Sequence, residues 1–222
     1  LDALIRMCTR TPTKARTVLG LSPNQRDEVS ANAGLATANT APAWQVYTGV
    51  LFGALDFGSL SAAARKRAAN RLLITSSLFG IVRPDDPIVA YRLSGDVTLP
   101  KVGKVDRFWR HHLGLALSDS IGDGLVIDMR SGTYVKFWPI PPHLASQALT
   151  VKIWQLGPNG SRTAVSHHNK AAKGDLARLL ATTTSAPRTR SAIVDLLRDH
   201  NWDAQLSVDP KIGHDRLDVT ID

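Results

Sequence analysis

The sequence predicts an α+β fold, a single compact mixed α/β domain over residues 1–222, and three observations carry that prediction. Strand-like and helical segments are scattered through the chain, which argues for α+β or a mixed sheet. A β-hairpin is written into it, because Leu149 to Leu156 and Arg162 to Ser166 flank the turn Gly157-Pro-Asn-Gly160. With 222 residues, 43% of them hydrophobic, the chain can bury a sizeable core.

Taken in order, residues 2–10 read as an amphipathic helix with Leu4, Ile5 and Cys8 at helical spacing. Thr11-Pro12 supplies an N-cap and a first-turn proline for a helix reaching Leu19, which Gly20 stops. Ser22-Pro23-Asn24-Gln25 is a capping box that opens a helix through Ala33. Residues 12–34 therefore have the layout of a helix-hairpin-helix element, in which amides around Gly20 and Ser22 can bind a DNA phosphate. Any αα-hairpin shares that layout. Residues 36–43 form a small-residue connector, and Trp44 to Leu55 carries apolar groups at mixed spacing. Ser61 caps a helix from Ala62 to Arg71, on which Arg67 and Arg71 lie one turn apart.

Leu72 to Thr75 is apolar and β-favouring and reads as a buried strand. It runs through Gly80 into Arg83-Pro84-Asp85-Asp86-Pro87, a rigid turn with two possible Asx-type acceptors. Val105 to Leu117 reads as a helix carrying Arg107, Phe108, Trp109, Arg110, His111 and His112. Leu125 to Asp128 is a short buried strand, with a turn from Met129 to Gly132. Asn169 is expected to cap a helix through Leu180, and a further helix runs from Ser191 to His200. Ala204 to Val208 and Arg216 to Ile221 are the last two strands.

The net charge of +8 is uneven: residues 61–110 hold 10 Lys and Arg against 4 Asp and Glu, six of the eight excess charges. A concentrated basic region points to a polyanion, nucleic acid first; a surface kept soluble by charge is the alternative. No run approaches a membrane span, and no signal peptide is visible. The one cysteine, Cys8, cannot form an internal disulfide, which fits a reducing cytoplasm.

Several separated blocks, in order, carry a family resemblance. Phe79-Gly-Ile-Val-Arg-Pro-Asp-Asp-Pro-Ile-Val-Ala-Tyr-Arg-Leu93 resembles the signature YG-x-x-RP-x-D-x-I-x-x-YRL of the YaaA family of peroxide stress proteins. Tyr47-Thr48-Gly49, Phe108-Trp109, Ile127-Asp128-Met-Arg-Ser131-Gly-Thr-Tyr134-Val-Lys136 and Asn169-Lys170-Ala-Ala-Lys173-Gly174 fall in the family's order. The likeness spans roughly residues 40 to 180, far more than one short motif could. The family's opening Ser-Pro-(Ala/Ser)-(Lys/Glu)-Thr strand has no counterpart, and the chain begins at Leu1 without Met, so its start is expected to be missing. The resemblance implies a cytoplasmic protein of the peroxide stress response that binds DNA through a helix-hairpin-helix element, and a link to free iron.

No first shell for a metal is legible: His111-His112 and His167-His168 are adjacent pairs, and no His-x-x-x-His, Cys-x-x-Cys or Glu-x-x-His spacing occurs. Nucleophile-elbow, phosphate-loop and dinucleotide motifs are also missing, so neither a cofactor nor a catalytic residue is expected. Lys170 and Lys173 share a face in the first turn of their helix, where the dipole disfavours cations and a bound anion would relieve them. The expected contacts to duplex or distorted DNA, with little base readout, are Arg67, Arg71, Arg83, Arg92, Lys170 and Lys173, with Gly20 and Ser22 as a secondary site. The competing reading is an enzyme on a small phosphorylated or nucleobase-containing substrate, with Asp86, Tyr91, Arg92, Ser131, Tyr134 and Lys170 converging in one pocket.

Overall fold

The computed structural model describes residues 1–157, 159–164, 168–209 and 215–221, with the backbone alone at Leu115, Ala116, Asp119, Ser120, Ala164 and His168. Helices and strands mix throughout, as expected, and the chain divides into two compact units. The first unit comprises residues 1–46, 72–115 and 130–139; the second comprises 47–71, 116–129 and 140–222.

In the first unit, helices Asp2–Arg10, Pro12–Val18 and Asp27–Ala33 bury Leu4, Cys8, Ala15 and Val29 together. Leu4 and Val29 each contribute about 1.5–3 kcal/mol on leaving water, and the smaller Ala15 less. The sequence reads one helix from Pro23 to Ala33, but the capping box holds only a single turn, Pro23–Gln25, and the helix proper starts at Asp27. Leu72 to Thr75 is not a buried strand. Ile74–Ser76 pairs only with Gly80–Val82 in a two-stranded hairpin, and Leu73 is exposed. Two strands have no second layer of sheet to bury them on both sides.

Gly80 lies at φ 80°, and an added Cβ would sit 2.7 Å from the Trp109 ring. Trp109 Nε1 donates to Ser77 O at 2.8 Å, so the motif glycine and the tryptophan form one contact. The 105–117 helix expected from sequence breaks after His112, and a second helix starts at Gly114. Glycine costs about 1 kcal/mol against alanine inside a helix, so a break falls there readily.

In the second unit, strands run in the order 203–208, 215–221, 148–156, 126–128; the first pair is antiparallel and the other two parallel. Arg162–Ala164 pairs antiparallel with 148–156 across the anticipated hairpin turn; Ser166 lies outside the described residues. Along 148–156, Leu149, Val151 and Ile153 are buried against Leu176, Ile193 and Leu197 of helices His168–Thr182 and Arg190–Asp199. Thr150, Lys152 and Trp154 alternate onto the opposite face, as the two-residue period of a strand requires. Asn169 does not cap the 168–182 helix, which begins at His168. Gly174 is the close-packing point of that helix. A Cβ there would lie 2.7 Å from Ala54 Cβ and nearer still to Leu51 O, on the Val50–Leu55 helix.

Candidate functional site

The fold sorts the expected cations by what already holds them. Arg67 and Arg71 project from the Ala62–Arg71 helix to the end of the 168–182 helix. Arg67 Nε donates to Thr182 O at 2.9 Å, and the Arg71 guanidinium donates to the carbonyls of Leu180, Ala181, Thr183 and Thr184 at 2.5–3.4 Å. The last four carbonyls of a helix lack internal partners and carry its negative dipole end. These two arginines cap that end.

The hairpin at Gly20 is likewise self-satisfied. Gly20, at φ 65°, donates its N–H to Thr17 O; Leu21 N–H reaches Arg16 O, and Ser22 N–H reaches Gln25 Oε1. This is a glycine-terminated helix end, with the amides turned back on their own chain. Asp27 and Glu28 occupy the first turn of the helix that follows, where an approaching phosphate would meet like charge. A cavity of about 400 Å³ opens beside the hairpin, lined by Val18, Leu19, Gly20, Ser94, Asp96, Val97 and Thr98. Its charged group is Asp96, held below the ordinary carboxylate value by the Ser94 hydroxyl (2.6 Å), by its own backbone amide and by Lys136.

Arg83 and Arg92 are exposed in the first unit. Asp86 Oδ2 accepts from Arg83 N–H at 2.7 Å and closes the proline-rich turn. The backbone of Arg92 is fixed by the fully buried Asn32. Asn32 Nδ2 donates to Arg92 O at 2.7 Å, and Arg92 N–H donates to Asn32 Oδ1 at 2.9 Å. Asn32 was not legible as a site residue, because its partners lie 60 positions away.

Of the expected pocket residues, the structure brings Tyr91 and Tyr134 together through Ser77. Tyr91 OH shares a 2.8 Å hydrogen bond with Ser76 Oγ and lies 3.4 Å from Ser77 Oγ. Burial and the Tyr91 phenol push Tyr134 up, partly offset by a hydrogen bond with Ser77. Asp86 is used in its turn, and Ser131 precedes the short Gly132–Val135 helix as its N-cap residue.

One set of cations has no such internal employment. Lys104, Arg107 and Arg110 recur at three-residue spacing on the Val105–His112 helix and its lead-in, and all three are exposed. Lys101, exposed in the preceding turn, extends the row. No ion pair engages Lys101, Lys104, Arg107 or Arg110 among the described residues. The opposite side of the helix packs Val105 and Trp109 into the core, which turns the cationic row to solvent. The signal for it was the alternation of basic and aromatic residues in 104–112.

The second unit uses its arginines differently. Arg178 donates to Leu55 O and Asp56 O, Arg190 pairs with Asp215, and Arg216 forks onto Asp218 at 2.7 and 3.0 Å. Lys170 is exposed, whereas Lys173 is buried with its Nζ 3.2 Å from Met129 O. Burial pushes the Lys173 amine down; the Asp128 carboxylate opposes that shift and Lys152 adds to it. Among the described residues, no three His, Cys, Asp or Glu side chains gather where they could hold a metal ion.

Comparison with known proteins gives a family model described as peroxide stress protein YaaA, matching residues 2–199. A UPF0246 protein of Streptomyces coelicolor is 41% identical over 222 residues, 100% of this chain and 84% of the relative. One from Corynebacterium efficiens is 40% identical over 190 residues, covering 85% of this chain and 74% of the relative. One from Shewanella oneidensis is 29% identical over 188 residues, with 80% and 72% covered.

Proposed function

The chain belongs to the peroxide stress protein YaaA family, the UPF0246 proteins, and on that premise we propose that it is a cytoplasmic DNA-binding protein of the peroxide stress response. It grips duplex or distorted DNA through phosphates, with little base readout. The observation that carries this reading is the exposed row Lys101, Lys104, Arg107 and Arg110, with Arg83 and Arg92 exposed in the same unit. A helix rises 1.5 Å per residue, so Lys104 to Arg110 spans about 9 Å along the axis. That length fits contact with two successive phosphates.

Lys170 remains an accessible contact candidate, whereas Lys173, Arg67 and Arg71 are bound to backbone carbonyls. Fluorescence anisotropy with a labelled duplex and its scrambled counterpart tests the proposal. Near-equal affinities, both weakened by Lys104→Ala with Arg107→Ala and Arg110→Ala, are expected. A triple variant that folds and binds DNA as tightly as the wild type would contradict it.

A further inference from the structure

The cationic helix is entered through a short hairpin. Thr98–Leu99 pairs antiparallel with Gly103–Lys104, and behind them Val105 N–H donates to Val97 O at 3.0 Å. Val97, Leu99 and Val105 are buried in the core of the first unit, which fixes the base of the hairpin. Its tip, Pro100-Lys101-Val102, is exposed, with Val102 at 39%. Two apolar side chains therefore stand in water on either side of a lysine, at the head of the row that Lys104, Arg107 and Arg110 continue.

The turn is built against its own local preference. Val102 N–H donates to Leu99 O at 3.2 Å, which puts Pro100 second and Lys101 third, at φ 65°. That is the pattern of a type II turn, whose third residue is favoured as glycine or asparagine because its φ is positive. A long side chain in the left-handed region costs stability, and such outliers cluster at working surfaces. Glycine would relieve the backbone here but would remove the charge from the tip. No ion pair engages Lys101 or Lys104 among the described residues.

We propose that this tip is a wedge that enters the minor groove and kinks the DNA held by the cationic row, with Pro100 and Val102 against the opened base step. The inference rests on the DNA reading and adds bending to it. Proteins that kink a duplex insert apolar side chains, proline among them, between base steps and set basic residues beside them. At about 3.4 Å per residue, Pro100 stands about 10 Å beyond Val97, whereas the minor groove is about 7.5 Å deep. The groove is also about 6 Å wide, enough for the turn but not for the paired strands behind it. Opening the groove by a kink is what lets the hairpin seat, while Lys101 and Lys104 meet the phosphates at its rim.

The test is end-to-end energy transfer in a duplex of about 30 base pairs labelled at both ends, saturated with the full-length chain. Wild type should raise the transfer to that of a kink of about 20–90°. A variant with Pro100→Ser and Val102→Ser, both at exposed positions, should leave the bound duplex as straight as the free one. Its affinity should change by less than about tenfold, because the lost contact and the spared unstacking offset each other. Its salt dependence should match the wild type, since no cation is removed. Lys101→Gly keeps both apolar groups and should still bend the duplex; loss of bending there would overturn the assignment of the wedge to Pro100 and Val102. A straight duplex under bound wild type, or equal bending by the double variant, would overturn the inference and leave the phosphate grip standing. Failure of wild type to bind the duplex would overturn the DNA reading and the inference with it.

Discussion

Single residues show most clearly where an interaction has been spent on the fold. Arg71 gathers four carbonyls at a helix end, so Arg71→Ala should lower stability by about 1–3 kcal/mol, read from urea melts, while DNA affinity stays unchanged. Weaker DNA binding with unaltered stability would instead return Arg71 to the DNA surface. Gly174→Ala should cost about 1–3 kcal/mol, because backbone atoms of the Val50–Leu55 helix stand where the methyl would go. A thermal melt matching the wild type would show that the two helices can separate without loss. Asn32→Leu should cost about 2–4 kcal/mol, since both backbone groups of Arg92 lose their only described partner.

At the scale of elements, local chemistry in the sequence named most helices and strands, because caps, prolines and alternation act over a few residues. Pro12, Ser61 and the 157–160 turn signal are such cases, whereas the Thr11 hydroxyl donates to Met7 O instead of capping the helix that Pro12 opens. The misreadings came where tertiary context decides. Leu72 to Thr75 looks like an interior strand, but its one partner is its own hairpin. Asn169 looks like a cap, but the helix extends past it to His168.

The sheet of the second unit also carries a titratable lock that pattern alone could not reveal. Burial works against the charge of Asp218, but bonds from Arg216, Trp154 and Ser207 outweigh it and hold the carboxyl below its ordinary value of 3.8. With the folded pKa depressed, the unfolded chain binds more protons. The stabilisation is therefore complete above the ordinary value and is lost as pH falls through the lower folded one. Asp218→Asn should destabilise at neutral pH by about 3 kcal/mol and flatten the acid limb of a stability-against-pH curve. An unchanged acid limb would contradict the assignment.

For the whole molecule, the sequence located the charge better than it chose among the charges. The excess in residues 61–110 is real, but its members divide: Arg67 and Arg71 cap a helix, while Lys101, Lys104, Arg107 and Arg110 remain exposed. Which arginine is spent depends on carbonyls more than 100 positions away, beyond any local pattern. The second unit's arginines are largely committed to its own backbone and carboxylates. A phosphate-gripping protein must release counterions in proportion to the cations that touch DNA. The most direct measurement is therefore the slope of log affinity against log salt for the wild type and for the Lys104→Ala, Arg107→Ala, Arg110→Ala variant. The account predicts a steep wild-type slope that falls by about 2–3 in the variant. A shallow wild-type slope, or the same slope in both proteins, would contradict it.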